Sequence, residues 1–136
     1  MSESHKQVSR RFTELFSTDD TSLAGEVLAS DVVFHGLGGG DLHGLDAVTG
    51  FIAAYRAAFP DAVSTVETQV AEDDMVVTRW RARGTHHGAL GGLPATGRAF
   101  DTAGITIERC AGGRIAEVWV ARDELGMLRQ LGVIPA

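Results

Sequence analysis

Cysteine is scarce in this sequence, and that restricts both cross-linking and metal binding. Cys110 is the only cysteine among 136 residues, so no disulfide can form within the chain and no zinc site of paired cysteines is available. His86 and His87 are adjacent, and neighbouring residues of a strand point in opposite directions. Together with the distant His35 they would suggest a metal site only if both pointed the same way, so we expect no metal.

Positive charge and long apolar runs are scarce as well. The net charge is −6 and Lys6 is the only lysine, whereas a nucleic-acid-binding surface needs clustered lysine and arginine. No run approaches the roughly 20 apolar residues of a membrane span. The N-terminal segment 1–11 is polar with no apolar run behind it, so no secretory signal is indicated. We expect a cytoplasmic protein that binds neither nucleic acid nor membranes.

Helical periodicity dominates the first half of the chain. The length of 136 residues suits one domain, 1–136. Apolar residues recur at helical spacing over 4–16 and 45–59, and a short helix is predicted over 23–28. The β-branched and aromatic residues of 31–35 predict a strand.

After Pro60 the apolar period changes from helical to two, which indicates strands. The predicted strands are 63–70, 75–85, 97–110 and 114–121, and a closing helix is predicted over 124–131. The glycine-rich segment 36–40 is predicted to break the chain before the long helix, and Gly112–Gly113 to form a tight hairpin. Because helices come first and an antiparallel meander follows, the pattern predicts an α+β fold.

Four motifs, in this order, resemble one known family. They are RW and GTHHG within 79–88, LPATGR at 93–98, GRIAEVW at 113–119 and DELGMLRQLGV at 123–133. Together they resemble the SnoaL-like polyketide (ester) cyclases of the nuclear-transport-factor-2-like superfamily. Each motif is unspecific alone, but the ordered set covers nearly the whole chain and is specific for the family rather than for the reaction.

The resemblance implies a cone-shaped α+β barrel with a hydrophobic cavity. In such a barrel a strongly curved, mostly antiparallel sheet wraps on N-terminal helices, and a C-terminal helix closes it. The resemblance also implies an aldol-type ring closure on an aromatic polyketide, without metal or organic cofactor. An acidic residue before the last helix acts there as general acid and base, and Asp123 stands at that position.

Asp123 is therefore the first candidate for catalysis. A carboxylate can remove a proton from a carbon beside a carbonyl if an apolar wall raises its pKa. Trp119, Ala121 and Asp123 share strand parity, so an aromatic ring and a carboxylate are expected to face the same cavity. The alternative is an N-cap for the last helix, bonding the amide of Leu125 or Gly126.

His35 and Arg109 are the other candidate catalytic residues. His35 ends the first predicted strand, where the family often has a polar group that touches substrate, and the alternative is an exposed strand-end histidine. Arg109 could bind an oxyanion or pair with Asp123, which would lower the pKa of that carboxyl. Its alternative is a surface arginine at a hairpin end.

Six residues are candidates to bind a hydrophobic substrate: Trp119, Trp80, His86, Tyr55, Phe51 and Met127. His86 shares strand parity with Trp80, and the last three lie on helical faces that should cover the cavity mouth. Ordinary core packing is the alternative for those three.

One departure from the family pattern leaves the reaction open. Many members read EHW where this chain has Val118 in place of histidine. We therefore keep three alternatives to the cyclase: a polyketide hydroxylase of the same fold, an epoxide or ester hydrolase, and a non-catalytic small-ligand binder. Asp101, Arg109 and Asp123 supply the residue types of an Asp-Arg-Asp epoxide hydrolase, and fold alone does not settle the chemistry.

The second face of the sheet predicts a partner. We expect it to carry Val76, Thr78 and Val120, and an exposed apolar sheet face is costly. Family members usually bury this face against a second copy, so we expect a homodimer through the sheet face.

Overall fold

The computed structural model describes residues 2–36 and 40–135. Its helices are α1 (Ser2–Glu14), α2 (Ala24–Val27), α3 (Leu45–Ala58) and α4 (Glu124–Leu131), with a short 3-10 helix at Leu15–Ser17. Its strands are β1 (Leu28–His35), β2 (Leu42–His43), β3 (Val63–Glu72), β4 (Met75–Thr85), β5 (Ala99–Ala111) and β6 (Arg114–Arg122). The break predicted over 36–40 falls partly on 37–39, which lie outside the described residues.

The strands form one curved sheet in the order β2-β1-β6-β5-β4-β3. β1 and β6 run parallel, while the other neighbouring strands are antiparallel. α1 packs on β3 and β4, α3 packs on β1, and α4 packs on β5. This arrangement confirms the predicted α+β class, with N-terminal helices, a curved and mostly antiparallel sheet, and a closing helix.

The inner face of the sheet, which the helices cover, holds the core. Phe34 of β1 and Ile52 of α3 are fully buried there, and each apolar side chain of this size contributes about 1.5–3 kcal/mol on burial. On β4, alternation directs Val76, Thr78 and Ala82 inward. The prediction that Val76 and Thr78 lie on the outer face is wrong, because both share parity with this inward set.

A bulge in β6 changes which of its residues face inward. Two successive residues of β5, Arg109 and Cys110, pair with Glu117 and Ile115, which are two positions apart, so β6 carries one extra residue. Before the bulge an odd-numbered residue of β6, Ile115, points inward, and after the bulge the even-numbered residues do. Val120, predicted on the outer face, therefore lies on the inner face and lines the cavity described below.

The outer face carries a different apolar patch from the one predicted. Val77, Ile105 and Ile107 are exposed by 37%, 45% and 39%. Val77 pairs with Ile107 across β4 and β5, and Ile107 pairs with Trp119 across β5 and β6. We call Val77, Ile105 and Ile107 the outer patch.

Candidate active site

An apolar cavity lies between the inner face of the sheet and helices α1 and α3. The cavity volume is about 60 Å³, and the empty space reaches about 540 Å³ when the open mouth and adjoining solvent are included. Its wall is formed by Phe12, Thr13, Phe16, Phe34, Phe51, Tyr55, Ser64, Trp80, Ala82, Thr106, Val120 and Arg122. A largely apolar, aromatic wall that opens to solvent suits a small hydrophobic molecule.

Aromatic rings shape the cavity. Phe16 meets Tyr55 edge to face, with ring centres 5.7 Å apart. Trp80 lies against Gly104, where an added Cβ atom would come within 2.3 Å of the indole ring. The absence of a side chain at Gly104 therefore gives Trp80 its place in the wall.

The charged end of the cavity is formed around Arg122. Its guanidinium carbon lies 5.9 Å from the centre of the Phe51 ring, and its Nη2 atom lies 2.9 Å from Oε1 of Glu124. Burial raises the pKa of the Tyr55 hydroxyl, although Arg122 and Ser64 act in the opposite direction. A neutral phenol and a guanidinium both donate hydrogen bonds, so this end can bind a carbonyl or enolate oxygen.

Three of the predicted substrate-binding residues stand in the cavity wall, namely Phe51, Tyr55 and Trp80. Their contact with a substrate stays a prediction. Met127, in contrast, packs against the apolar cluster around Phe59 and is not among the lining residues.

His86 is buried and ties a loop to the sheet. Its Nδ1 atom lies 3.2 Å from the Thr96 backbone nitrogen and 3.0 Å from the Thr96 hydroxyl. The backbone of His86 bonds to Arg98 and Gly97, and its ring lies 5.4 Å from that of Phe59. The residue therefore holds the loop before β5 in place, outside the described cavity wall.

Asp123 caps helix α4. Its Oδ1 atom accepts a hydrogen bond from the Gly126 amide at 2.9 Å, and its side chain is exposed. The expectation that Trp119 faces the cavity is wrong, because the bulge in β6 directs Val120 and Arg122 into it instead, and Asp123 is not among the described lining residues. The capping alternative describes the observed contact of Asp123, and its part in catalysis remains a prediction.

His35 and Arg109 do come together, but at Glu117 on the outer face. His35 Nε2 lies 2.6 Å from Glu117 Oε2 and its Nδ1 lies 2.9 Å from Asp41 Oδ2, while Arg109 Nε lies 3.4 Å from Glu117 Oε1. The hydrogen bond to Glu117, and then that to Asp41, raises the pKa of His35, and the same contact lowers the pKa of Glu117. Trp119 stacks on the imidazole at 5.4 Å.

The residues considered for an epoxide hydrolase are not assembled. Asp101 Oδ1 lies 2.7 Å from Arg81 Nε, Arg109 contacts Glu117, and Asp123 caps a helix. That set does not form one site, and the suggested Arg109–Asp123 pair is replaced by the pair with Glu117.

Sequence reasoning missed Arg122, Glu117 and Glu108. The bulge hides the inward direction of Arg122. Its position directly before Asp123, the first residue of a family motif, could have indicated a role at the site. Glu117 could have been found as the acid that a parallel β1–β6 pairing brings near His35. Glu108 lies between Thr106 and Cys110 in the inward series of β5 and is completely buried, which is unusual for a carboxyl.

Among the described residues, no group of three or more His, Cys, Asp or Glu side chains is arranged to hold a metal ion. No helix in the described part of the chain is long and apolar enough to cross a membrane.

Comparison with known proteins gives consistent matches. The family model of the SnoaL-like polyketide cyclases matches residues 6–131. The aklanonic acid methyl ester cyclase DnrD of Streptomyces peucetius is 29% identical over 126 residues, which cover 90% of this chain and 87% of DnrD.

Solved structures agree with that match. IdmH of Streptomyces antibioticus, described as a candidate polyketide cyclase, is 32% identical with a TM-score of 0.81, covering 94% of this chain and 98% of IdmH. A protein of Jannaschia sp. CCS1 is 22% identical with a TM-score of 0.88, covering 98% of this chain and 95% of its own, which shows the shared fold. Because the family model matches residues 6–131 and the fold agrees with the solved structures, this chain belongs to the SnoaL-like polyketide cyclase family.

Proposed function

We propose that this chain is a polyketide-tailoring enzyme that closes a ring of an aromatic polyketide ester by a cofactor-independent aldol reaction. The observation that carries the proposal is the cavity, whose aromatic wall ends at Arg122 and Tyr55. Flat, apolar rings of a polyketide fit such a wall, and a carbonyl group fits its polar end. The family membership supports the same class of reaction.

In the proposed reaction, Arg122 and Tyr55 hold the carbonyl oxygen of the reacting group. A base removes a proton from the neighbouring carbon, and the electron pair moves to give an enolate whose oxygen the two donors stabilise. The enolate carbon then attacks a second carbonyl, forming the new C–C bond, and the resulting alkoxide takes up a proton.

Asp123 is the proposed base, next to Arg122 in sequence. Its hydrogen bond with the Gly126 amide stabilises the carboxylate form. The cap occupies Oδ1 alone, so Oδ2 is the oxygen that accepts the substrate proton in this proposal.

Two variants separate catalysis from capping. Asn caps a helix about as well as Asp, whereas Ala costs about 1 kcal/mol at this position. We expect Asp123→Asn and Asp123→Ala both to lower the rate with aklanonic acid methyl ester by about 10²–10⁴-fold. Only Asp123→Ala should also lower the free energy of unfolding. Wild-type turnover by a folded Asp123→Asn protein would show that Asp123 serves as a cap alone.

A non-catalytic small-ligand binder is the second candidate. The described wall contains no carboxylate, and Asp123 is engaged in capping. At the position of the family histidine, Val118 is fully buried opposite Phe34 and offers no proton. Quenching of Trp80 fluorescence by the ester without turnover would favour this candidate.

We also propose that the chain forms a homodimer through the outer face of the sheet. The outer patch supports this, because its three apolar side chains, on the adjacent strands β4 and β5, remain exposed in one copy.

A further inference from the structure

Polar side chains meet in the core beside the cavity, at Ser9, Thr78 and Glu108. All three are completely buried. The Ser9 hydroxyl lies 2.7 Å from the Thr78 hydroxyl and 2.5 Å from Oε1 of Glu108. Gln69 Nε2 also donates to the Thr78 hydroxyl, at 3.2 Å. We call Ser9, Gln69, Thr78 and Glu108 the Glu108 cluster.

The Glu108 cluster adjoins the end of the cavity that Thr13 and Thr106 line. Thr106 precedes Glu108 by two residues on the same face of β5. Thr106 also pairs in register with Thr78, which places directly opposed Cβ atoms about 4.5–5.5 Å apart. On α1, the Thr13 hydroxyl donates to the Ser9 carbonyl at 3.1 Å. Thr106 of the cavity wall is therefore the cross-strand neighbour of Thr78, whose hydroxyl contacts Ser9, and Ser9 in turn contacts the carboxyl group.

Glu108 has no cationic partner among its hydrogen bonds. Burial raises its pKa to about 7, against the opposite effect of Ser9 and Thr78, and Oε2 has no hydrogen-bond partner among the described residues. Among the described groups, Cys110 of β5 is coupled electrostatically to Glu108, and Asp74 of the β3–β4 turn also acts on Cys110. The pKa of Cys110 is itself raised to about 11. Below neutral pH Glu108 is therefore a carboxylic acid with a proton to donate.

We propose that Glu108 supplies a proton to the cavity through the hydroxyls of Ser9, Thr78 and Thr106, and so protonates the alkoxide formed at ring closure. The inference rests on the proposed function. It assigns the donating step to Glu108, whereas the proposed function assigns only the removal of the carbon-bound proton, to Asp123.

The proton balance closes over one turnover. The Glu108 O–H bond breaks, each hydroxyl of the relay passes one proton onward and receives another, and an O–H bond forms on the product. Glu108 is left as a carboxylate. It regains a proton by the reverse route from water that enters the emptied cavity, while Asp123 returns the substrate proton to solvent.

The test compares wild type with Glu108→Gln, which keeps the shape of the side chain and removes its titration. With the polyketide ester as substrate, wild-type kcat should fall as the pH rises through about 7, because the donor ionises. Glu108→Gln should lower kcat by about 10²-fold and abolish this high-pH decline. A folded Glu108→Gln protein with the wild-type pH profile would overturn the proposal.

Thr78→Val provides a second variant, which keeps the carboxyl group and cuts the relay. It should lower kcat and remove the decline in the same way, whether or not Glu108→Gln folds. Wild-type kcat and pH profile in a folded Thr78→Val protein would overturn the relay. As a control, Thr102→Val changes a threonine elsewhere on β5 and should leave the pH profile unchanged.

A binding measurement distinguishes failure of this inference from failure of the proposed function. Calorimetry with 1,8-dihydroxyanthraquinone, in two buffers of different ionisation enthalpy, reports proton exchange on binding. Suppose that wild type does not turn over the ester but exchanges protons on binding near pH 7, and that Glu108→Gln loses this exchange. That result would contradict the ring-closing function and support the relay to the cavity. Binding without exchange would overturn the relay alone. If the protein neither binds the anthraquinone nor turns over the ester, both proposals are overturned.

Discussion

Glu108 makes the stability of the fold depend on pH. Its pKa rises from 4.5 to about 7 on folding, so between these values the folded state binds more protons than the unfolded state. Stability therefore falls as the pH rises through this range, by about 3 kcal/mol in total. We expect Glu108→Gln to be less pH-sensitive, and urea unfolding at pH 5 and pH 8 measures the difference.

Comparing wild type with Glu108→Gln isolates the contribution of the Glu108 carboxyl group to the pH dependence of stability. His35 also has a raised pKa, and the stabilisation from its ion pairs is likewise lost as the pH rises above its folded-state pKa. That contribution is common to wild type and Glu108→Gln, so it cancels. Equal changes in the free energy of unfolding between pH 5 and pH 8 in both proteins would contradict the assignment.

Gly104 determines whether Trp80 can form the cavity wall. A methyl group there would come within 2.3 Å of the indole, so the ring or the strand must move. We expect Gly104→Ala to cost about 1–3 kcal/mol as an overpacked site and to weaken binding in the cavity. Thermal unfolding and fluorescence titration in a Trp119→Phe background measure both effects.

A second glycine supplies the control for this substitution. Gly50 lies in α3 with no atom within 4 Å of an added Cβ. Gly50→Ala should be neutral or stabilising by about 0.5–1 kcal/mol, because alanine favours the helix. If Gly104→Ala behaves in the same way, the contact with Trp80 does not limit this position.

At the residue scale, the sequence predicted side chains on regular elements better than those near irregular ones. Helical spacing placed Phe51 and Tyr55 correctly on the face of α3 that covers the core, and strand parity placed Trp80 inward. The same parity failed for Trp119, because a one-residue bulge reverses the faces of a strand and leaves no clear mark in the sequence.

At the scale of elements, Arg56 joins the end of α3 to the segments around it. It is buried, and its guanidinium donates to the carbonyls of Ala62 at 2.7 Å and Pro60 at 2.6 Å, and to Asp19 at 3.1 Å. These bonds fix the turn between α3 and β3 and hold it to the segment after the 3-10 helix. A planar fork of five N–H donors matches several acceptors at once, which an ammonium group does not.

We therefore expect Arg56→Lys to lower the free energy of unfolding by about 2 kcal/mol, since buried carbonyl groups lose charged donors. Chemical denaturation measures the loss. Arg10→Lys, at an exposed position of α1, is the matched control and should change stability by less than about 0.5 kcal/mol. A similar small effect for Arg56→Lys would show that the turn holds without the guanidinium.

The elements themselves were largely readable from the sequence. Helices predicted over 45–59 and 124–131 are observed at Leu45–Ala58 and Glu124–Leu131, because each combines a clear period with an end signal. The two-residue strand Leu42–His43 was missed, since it is too short to show a period. The parallel pairing of β1 with β6 also had no local signal, because it depends on how distant segments pack.

At the scale of the whole molecule, the outer face has the composition of an interface. The outer patch is apolar, and charged pairs surround it: Arg79 with Glu67, Arg81 with Asp101, and Arg109 with Glu117. An apolar centre with a polar rim is typical of surfaces that bind another protein. A two-fold axis through such a patch would bring each copy's isoleucines against the other's, so one surface serves both partners.

The dimer is tested by placing a charge in the middle of the patch. Ile107 lies between Val77 and Trp119 in the register of the sheet, so Ile107→Lys would bury two ammonium groups close together at a two-fold interface. We expect wild type to sediment as a dimer at micromolar concentration and Ile107→Lys as a folded monomer. Leu23→Lys, exposed by 47% outside the sheet, should remain dimeric. A monomeric wild type, or a dimeric Ile107→Lys protein, would mean that this face does not join two copies.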